Sequence, residues 1–148
     1  MQTYTHIVYQ IIFQTRNREN TLNQKNRERL YEYMSRTLMN KKCYVYKAGG
    51  FHNHIHILIS LHPTISLSNL VKDLKLSSAS FIQKRKLFPH FKGWNEGYGA
   101  FTYTPEAIPN LIEYIKNQDE HHKKETIFEE TKRLLREFDV DFEEKYLN

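Results

Sequence analysis

The sequence feature that most constrains the fold is residues 51–61, FHNHIHILISL, an apolar segment with histidines at alternate positions. Its β-branched residues, with glycines at 49–50 before it and Pro63 after it, are typical of a β-strand. Because alternate side chains of a strand share a face, His54 and His56 point the same way. Two parallel imidazoles on a rigid strand could bind one metal ion. The alternative is a half-buried strand whose histidines have no such role.

Length and composition indicate a single domain that spans residues 1–148. With 39% hydrophobic and 14% aromatic residues, the chain can bury a core. The one cysteine, Cys43, cannot form an intramolecular disulfide, which suits a reducing compartment. There is no secretory signal, and no apolar run approaches the roughly 18 residues of a membrane helix. We therefore expect a soluble, cytoplasmic protein with no membrane partner.

The net charge of +5 is unevenly distributed along the chain. Residues 1–100 hold 15 Lys and Arg against 5 Asp and Glu, whereas residues 101–148 hold 7 against 12. A basic first two-thirds favours a polyanionic partner, because cations that neutralise phosphates release counterions. Lys25, Arg27 and Arg29 oppose the dipole near the start of a predicted helix, which favours a phosphate contact. A merely solvated surface is the alternative.

Hydrophobic periodicity predicts alternating strands and helices along the chain. The predicted elements are a strand at 3–14, a helix at 23–40, a strand at 43–48, the histidine strand, a helix from Ser66, a turn and strand at 94–103, a third helix, and a helical tail. Glycines 49–50 are expected to turn the second strand directly into the histidine strand. This order predicts an α+β, ferredoxin-like split βαβ fold, an antiparallel sheet with helices mainly on one face. The histidine strand would then lie mid-sheet.

The third helix carries the other candidate site residues. Pro109 favours a start near itself rather than near Pro105, because proline is tolerated only in the first helical turn. Tyr114 and Gln118 are four residues apart at the border of the core stripe. Tyr114 is either a packing residue or, near a metal-bound phosphate, a nucleophile. The Gln118 carbonyl could complete a mixed nitrogen and oxygen site, which suits Mg²⁺ or Mn²⁺ better than zinc.

Three further histidines are weaker candidates for ligands. His52 shares the strand parity of His54 and His56, but we expect it at the frayed start of the strand. His121 and His122 follow the third helix and are expected to form a solvated helix end, where cationic imidazoles are favourable.

Two of these motifs together resemble the single-tyrosine HUH transposases. His54-Ile55-His56 is similar to the HUH motif, and residues 114–118, YIKNQ, are similar to the Tyr-x-x-x-Gln helix of that family. The family comprises the TnpA-type enzymes of small bacterial and archaeal insertion sequences, including the REP-associated group. The resemblance covers almost the whole chain, with further similar segments at 7–18, 72–78, 94–101, 118–122 and 146–147.

The resemblance implies a metal-dependent single-strand DNA endonuclease and strand transferase. His54, His56 and Gln118 would hold a divalent cation, Mg²⁺ or Mn²⁺, at the scissile phosphate. Tyr114 would attack phosphorus to give a 5′-phosphotyrosine and a free 3′-hydroxyl. The 3′-hydroxyl of another cut end would then reverse the step. Covalent storage of the phosphodiester agrees with the lack of a Walker-type phosphate loop.

The implied substrate is single-stranded DNA with a small hairpin near each element end. Basic side chains would follow its phosphates and exposed aromatic side chains would stack on its bases. The candidate phosphate contacts are Arg16, Arg18, Lys72, Lys75, Lys84, Arg85 and Lys86. The resemblance also implies a homodimer in which the tyrosine helix of one subunit completes the histidine pair of the other. It further implies that the protein acts in the cytoplasm of a bacterium or archaeon.

Two positions depart from the family pattern. Asn53 stands where an acidic residue often precedes the first motif histidine, and His52 stands where proline is frequent. Asn53 keeps an acceptor oxygen but has no charge. The hydrogen-bond partner beside His54 is therefore expected to tune the bound metal differently from an acidic residue.

Other functions remain open at this level. A domesticated REP-associated hairpin nuclease would use the same chemistry without moving its own element. A non-catalytic, ferredoxin-like nucleic-acid-binding protein would use the histidines only as sheet residues. A replication initiator or relaxase fits less well, because the chain has no helicase module and one plausible nucleophile.

Overall fold

The computed structural model describes residues 1–147 and shows a four-stranded antiparallel sheet with five α-helices. The strands are β1 (Val8–Gln14), β2 (Tyr44–Gly50), β3 (His54–Ser60) and β4 (Gly99–Tyr103). The helices are α1 (Gln24–Asn40), α2 (Leu67–Arg85), α3 (Ile108–Lys116), α4 (Gln118–His121) and α5 (Ile127–Glu137). Among these residues, no helix combines the length and apolar character needed to cross a membrane.

The strand order β2-β3-β1-β4 confirms the predicted α+β fold and places the histidine strand in the middle of the sheet. β1 pairs with both β3 and β4, and Val8 faces Ser60 on one side and Tyr103 on the other. The prediction that the first strand begins near residue 3 is wrong. Both partner ladders end at Val8, so residues 1–6 have no strand beside them and lie exposed.

Helices cover both faces of the sheet. The odd-numbered residues Ile11, Ile55 and Ile57 face α1 and α2 in the larger core cluster. The even-numbered residues of β1 and β3 face the opposite way, where α3 packs on Val8 and Leu58. The two long helices, α1 and α2, share one face as expected, but the short helices lie on the other face. The short helices cover the face that carries His54 and His56.

Gly49 lets α3 approach this second face closely. A Cβ at Gly49 would lie 2.7 Å from both Cγ2 and the backbone oxygen of Ile115. Gly49 and Gly50 are the last residues of β2, and residues 51–53 make the connection to β3. The prediction that these glycines form the turn is therefore wrong. The lack of a side chain at Gly49 instead lets the tyrosine helix pack against the sheet.

Candidate active site

The two motif histidines lie side by side in the interior. His54 and His56 are 0% exposed, and their ring centroids are 5.1 Å apart. His54 Nδ1 lies 2.8 Å from Asn53 Oδ1, and His56 Nδ1 lies 2.7 Å from Gln10 Oε1. Each ring is thus fixed through Nδ1 and presents Nε2 to the short helices. Burial, and then the neighbouring His56 ring, holds the pKa of His54 well below its ordinary value.

Tyr114 and Gln118 both reach this histidine pair. Tyr114 lies on α3 with its ring centroid 5.9 Å from that of His56. The helix is interrupted at Asn117, and Gln118 starts α4, where its side chain is buried. Gln118 Oε1 lies 3.2 Å from His54 Nε2, while Gln118 Nε2 donates to the backbone oxygen of Tyr114 at 3.2 Å. The structure therefore brings the two separated motifs into one cluster.

His122 also belongs to this cluster. Its side chain is only 3% exposed, and its Nε2 lies 2.9 Å from Gln118 Oε1. Its ring stacks on Phe51 with centroids 5.1 Å apart. His121 is 23% exposed, and its Nε2 lies 3.0 Å from Glu125 Oε1. The expectation of a solvated helix end is wrong, because the chain turns after α4 and brings Glu130 of α5 within 3.1 Å of His121 Nε2 and 3.5 Å of His122 Nε2.

Glu130 of α5 is the central residue that the sequence analysis missed. Its carboxylate is 0% exposed, with Oε1 3.0 Å from His56 Nε2 and 3.5 Å from His122 Nε2. The nitrogens and one carboxylate oxygen of His54, His56, His122 and Glu130 lie within 4.8 Å of one another. Burial alone would raise the pKa of Glu130. The charge of His56 and the hydrogen bonds from the histidines outweigh it and hold that pKa below its ordinary range.

One sequence signal points to Glu130. Ile127 and Leu134 are buried residues of α5, and Glu130 lies between them at helical core spacing. A carboxylate at such a position is buried with the apolar stripe and therefore needs polar partners. The amphipathic pattern of the tail marked this helix, but it did not show which face of the sheet the helix covers.

The Tyr114 hydroxyl lies between a carboxylate and a guanidinium, both from α5. It donates to Glu130 Oε2, and Arg133 Nη2 donates to it at 2.9 Å. Burial and then the charge of Glu130 raise the pKa of Tyr114 above its ordinary value, and Arg133 opposes this shift. Arg133 also pairs with Glu125 at 3.2 Å. The phenol is thus held toward the histidine pair, and its hydroxyl contacts both a proton acceptor, Glu130, and a cation, Arg133.

The predicted phosphate contacts occupy different environments. Four of them are exposed at α2 and its end: Lys72, Lys84, Arg85 and Lys86. Arg16 is exposed, and Arg18 Nη1 donates to the backbone oxygen of Leu147 at 2.9 Å. Lys75 Nζ donates to the backbone oxygens of Asn95 and Gly97. Lys75 therefore anchors the segment before β4 as well as adding charge.

Arg27 does not have the solvent-facing position expected of a phosphate contact. It is 4% exposed, and its Nη2 donates to Asp119 Oδ1 at 3.2 Å. Its guanidinium carbon lies 5.9 Å from the centroid of the Phe51 ring. Arg27 therefore ties α1 to α4, the helix that begins with Gln118.

An aromatic groove of about 240 Å³ lies between β4 and α5. Tyr98 is 41% exposed and lines it together with Phe101, Tyr146 and Leu147. Glu96 and Gly97 complete the wall formed by the segment before β4. The aromatic and glycine-rich segment of the sequence thus forms a surface beside the candidate active site.

Two solved structures share this fold. A crystal structure assigned as a transposase from Deinococcus radiodurans R1 is 22% identical, with a TM-score of 0.62, and the alignment covers 80% of this chain and 95% of that chain. The structure of a REP-associated tyrosine transposase bound to a REP hairpin is 13% identical, with a TM-score of 0.59, covering 82% of this chain and 72% of that chain. At these identities the likeness shows the fold alone.

Sequence comparison gives the family. Curated protein sequences give no significant match to the chain. A family profile described as "Transposase IS200 like" matches residues 3–118, which include His54, His56, Tyr114 and Gln118.

Proposed function

The chain belongs to the IS200-like transposase family, and on that premise we propose that it cleaves and rejoins hairpin-bearing single-stranded DNA through a covalent bond to Tyr114. The observation that carries the proposal is the meeting of two distant motifs in one buried cluster. His54 and His56 come from β3, while Tyr114 and Gln118 come from α3 and α4. A binding protein that used the sheet alone would have no need of this arrangement.

Tyr114 supplies the nucleophile in this proposal. Its Oη attacks phosphorus, the new O–P bond forms as the P–O3′ bond breaks, and the DNA 5′ end is stored as a phosphotyrosine. The phenolic proton passes to Glu130 Oε2, to which the hydroxyl already donates. The departing oxygen takes up a proton from water and becomes a free 3′-hydroxyl. Attack by the 3′-hydroxyl of another cut end reverses these bonds and rejoins DNA without nucleotide hydrolysis.

The histidine pair and Gln118 fit a divalent cation, Mg²⁺ or Mn²⁺. His54 and His56 are fixed through Nδ1 by side-chain oxygens, an arrangement typical of metal ligands. Asn53 provides one of these oxygens, so the loss of an acidic residue there removes charge but keeps the contact. A bound cation would polarise the scissile phosphate and offset charge developing on its oxygens. Arg133 adds a fixed positive charge beside the phenol.

Hairpin-bearing DNA is the proposed substrate class. The REP-associated fold neighbour is bound to a REP hairpin. In this chain, exposed cations at the end of α2 could follow phosphates, and Tyr98 in the aromatic groove could stack on an unpaired base. The same chemistry serves a mobile element or a domesticated hairpin nuclease. Terminal repeats flanking the gene would distinguish the two.

The proposed assembly is a homodimer in which tyrosine helices are exchanged between subunits. The contacts of Tyr114 described above occur within one chain, so a single subunit can also hold the complete set. Action of Tyr114 on the histidine pair of a second copy stays a prediction.

Substitution of Tyr114 by Phe tests the proposal. With hairpin-bearing single-stranded oligonucleotides and Mg²⁺ or Mn²⁺, the wild-type chain should cut the DNA and form a complex that survives denaturing electrophoresis. Tyr114→Phe should bind the DNA but give neither product, because the nucleophilic oxygen is missing.

Tyr44→Phe is the matched control, since Tyr44 is an exposed tyrosine of β2. It should cut and capture the DNA as the wild-type chain does. Unchanged cleavage by Tyr114→Phe would overturn the nucleophile. Binding without cleavage by the wild-type chain, over a range of hairpins, would favour the non-catalytic alternative.

A further inference from the structure

Two hydrogen-bond contacts determine which nitrogen of each motif histidine can bind a ligand. Asn53 Oδ1 and Gln10 Oε1 contact the Nδ1 atoms of His54 and His56 at 2.8 and 2.7 Å. Because a side-chain amide oxygen only accepts hydrogen bonds, each Nδ1 must carry the hydrogen. In a neutral ring, Nε2 then keeps its lone pair and cannot donate.

Both Nε2 atoms nevertheless face oxygens that only accept. His54 Nε2 lies 3.2 Å from Gln118 Oε1, and His56 Nε2 lies 3.0 Å from Glu130 Oε1. Neutral rings therefore leave acceptors directed at acceptors in the interior, which is unfavourable. A proton on His56 alone would satisfy its contact with Glu130 but leave His54 Nε2 facing Gln118 Oε1. Protons on both rings would place two positive charges side by side, with ring centroids 5.1 Å apart. A cation between the rings and the oxygens would satisfy all of them.

His122 and Glu130 lie at the same point. His122 Nε2 is 2.9 Å from Gln118 Oε1 and 3.5 Å from Glu130 Oε1, and both side chains are nearly or fully buried. Glu130 Oε1 is also 3.8 Å from His54 Nε2. The other oxygen of Glu130 is directed to Tyr114 and His121 instead. One carboxylate thus connects the convergent nitrogens to the phenol.

We infer that His122 and Glu130 are metal ligands together with His54, His56 and Gln118, and that the site prefers a first-row transition ion over Mg²⁺. The inference deepens the proposed function and rests on it for the presence of a metal. Three imidazole nitrogens suit Zn²⁺ and its neighbours, whereas Mg²⁺ prefers oxygen ligands and retains water. Because the Glu130 carboxylate and the Gln118 amide supply oxygen ligands, the site can also bind Mn²⁺.

Metal binding to the DNA-free full-length chain tests the inference without reference to activity. In calorimetric titrations of metal-stripped protein, Mn²⁺ and Zn²⁺ should each bind at one site per chain, and Mg²⁺ should bind far more weakly. Glu130→Gln and His122→Ala should each weaken Mn²⁺ binding by about tenfold or more. Wild-type Mn²⁺ affinity in both variants, or no Mn²⁺ binding by the wild-type chain, would overturn the inference.

Matched controls are Glu137→Gln, an exposed carboxylate on the same helix, and His62→Ala, a histidine outside the cluster. Both should bind Mn²⁺ as the wild-type chain does. A spectroscopic measurement on the wild-type chain tests the ligands even when a variant does not fold. Pulsed electron paramagnetic resonance of bound Mn²⁺ should detect three coupled imidazoles, and only two would contradict the role of His122.

Tyr114→Phe separates this inference from the proposed function. It should bind Mn²⁺ at the same site while failing to capture DNA. Unchanged Mn²⁺ affinity in the Glu130 and His122 variants, together with Tyr114-dependent DNA capture by the wild-type chain, would reject the two ligands and leave the proposed function standing.

Discussion

At the scale of single residues, Arg133 has the clearest effect on the proposed nucleophile. Its Nη2 donates to the Tyr114 hydroxyl at 2.9 Å, and its ion pair with Glu125 fixes the guanidinium. Partial burial alone would lower the pKa of Arg133, but hydrogen bonding to the Glu125 carboxylate and the charge of that carboxylate outweigh it and raise this pKa, so the side chain stays charged. A fixed cation at this position stabilises the phenolate that Tyr114 becomes as it attacks.

Replacing Arg133 by Gln should therefore slow DNA cleavage by about tenfold to a hundredfold while leaving DNA affinity nearly unchanged. Without the cation the pKa of Tyr114 rises further, so the cleavage rate should also require a higher pH. Single-turnover cleavage measured against pH checks both effects. Arg136→Gln, an exposed arginine one turn further along α5, is the control. Equal losses of cleavage rate in the two variants would mean that the overall positive charge of α5, and not the contact of Arg133 with Tyr114, causes the effect.

Residue patterns predicted part of this cluster and could not predict the rest. His54, His56, Tyr114 and Gln118 follow from strand parity and helical spacing, which are local properties. His122 lies one helical turn from Gln118 and stacks on Phe51, whereas Glu130 joins the cluster only because α5 folds back over the sheet. That packing depends on contacts between distant segments, so local spacing carries no signal for it. The buried position of Glu130 in the α5 stripe is the one local hint.

At the scale of secondary-structure elements, α5 holds the Glu130 carboxylate and the Arg133 guanidinium against Tyr114. It starts with a capping box in which the Thr126 side chain accepts from the Glu129 backbone and the Glu129 side chain accepts from the Thr126 backbone. Its apolar residues Ile127 and Leu134 pack with Ile12 and Phe101 of the sheet. The sequence predicted a helix here but left the covered face open, and the structure shows that it is the histidine face.

Loss of the capping box should loosen this helix. Thr126→Ala should lower the free energy of unfolding by about 1 kcal/mol, because backbone donors of the first turn lose their acceptor. Urea denaturation measures this change, and hydrogen exchange should show faster exchange within α5. Thr104→Ala is the control, because Thr104 precedes a 3₁₀ turn without a capping hydrogen bond. Equal destabilisation by the two variants would contradict the role of the cap.

At the scale of the whole molecule, the charge asymmetry agrees with a division of tasks along the chain. The basic first two-thirds carries α2 with its exposed cationic end, and the acidic last third carries the helices that cover the histidines. Many cations of the last third are already paired. Lys123, Lys132 and Lys145 each lie within 3.3 Å of a glutamate oxygen. DNA attraction is therefore expected mainly from the first two-thirds.

Joint replacement of Lys84, Arg85 and Lys86 by Gln should reduce the salt dependence of single-stranded DNA binding. If all three contact phosphates, the slope of log K against log salt should fall by about 2 in magnitude. Binding measured between low and moderate salt gives this slope. Replacement of the paired Lys123, Lys132 and Lys145 by Gln is the control and should change the slope little. Equal slopes in both triple variants would place the DNA elsewhere.

The central claim is that Tyr114 forms the covalent bond to DNA, and the covalent complex itself provides its most direct test. Mass spectrometry of protease-digested complex, formed on a hairpin-bearing single strand, should find a nucleotide 5′-phosphate on the peptide that contains Tyr114. Fragmentation should place the added mass on that residue. An adduct on another residue, or complete cleavage without any adduct, would contradict the account.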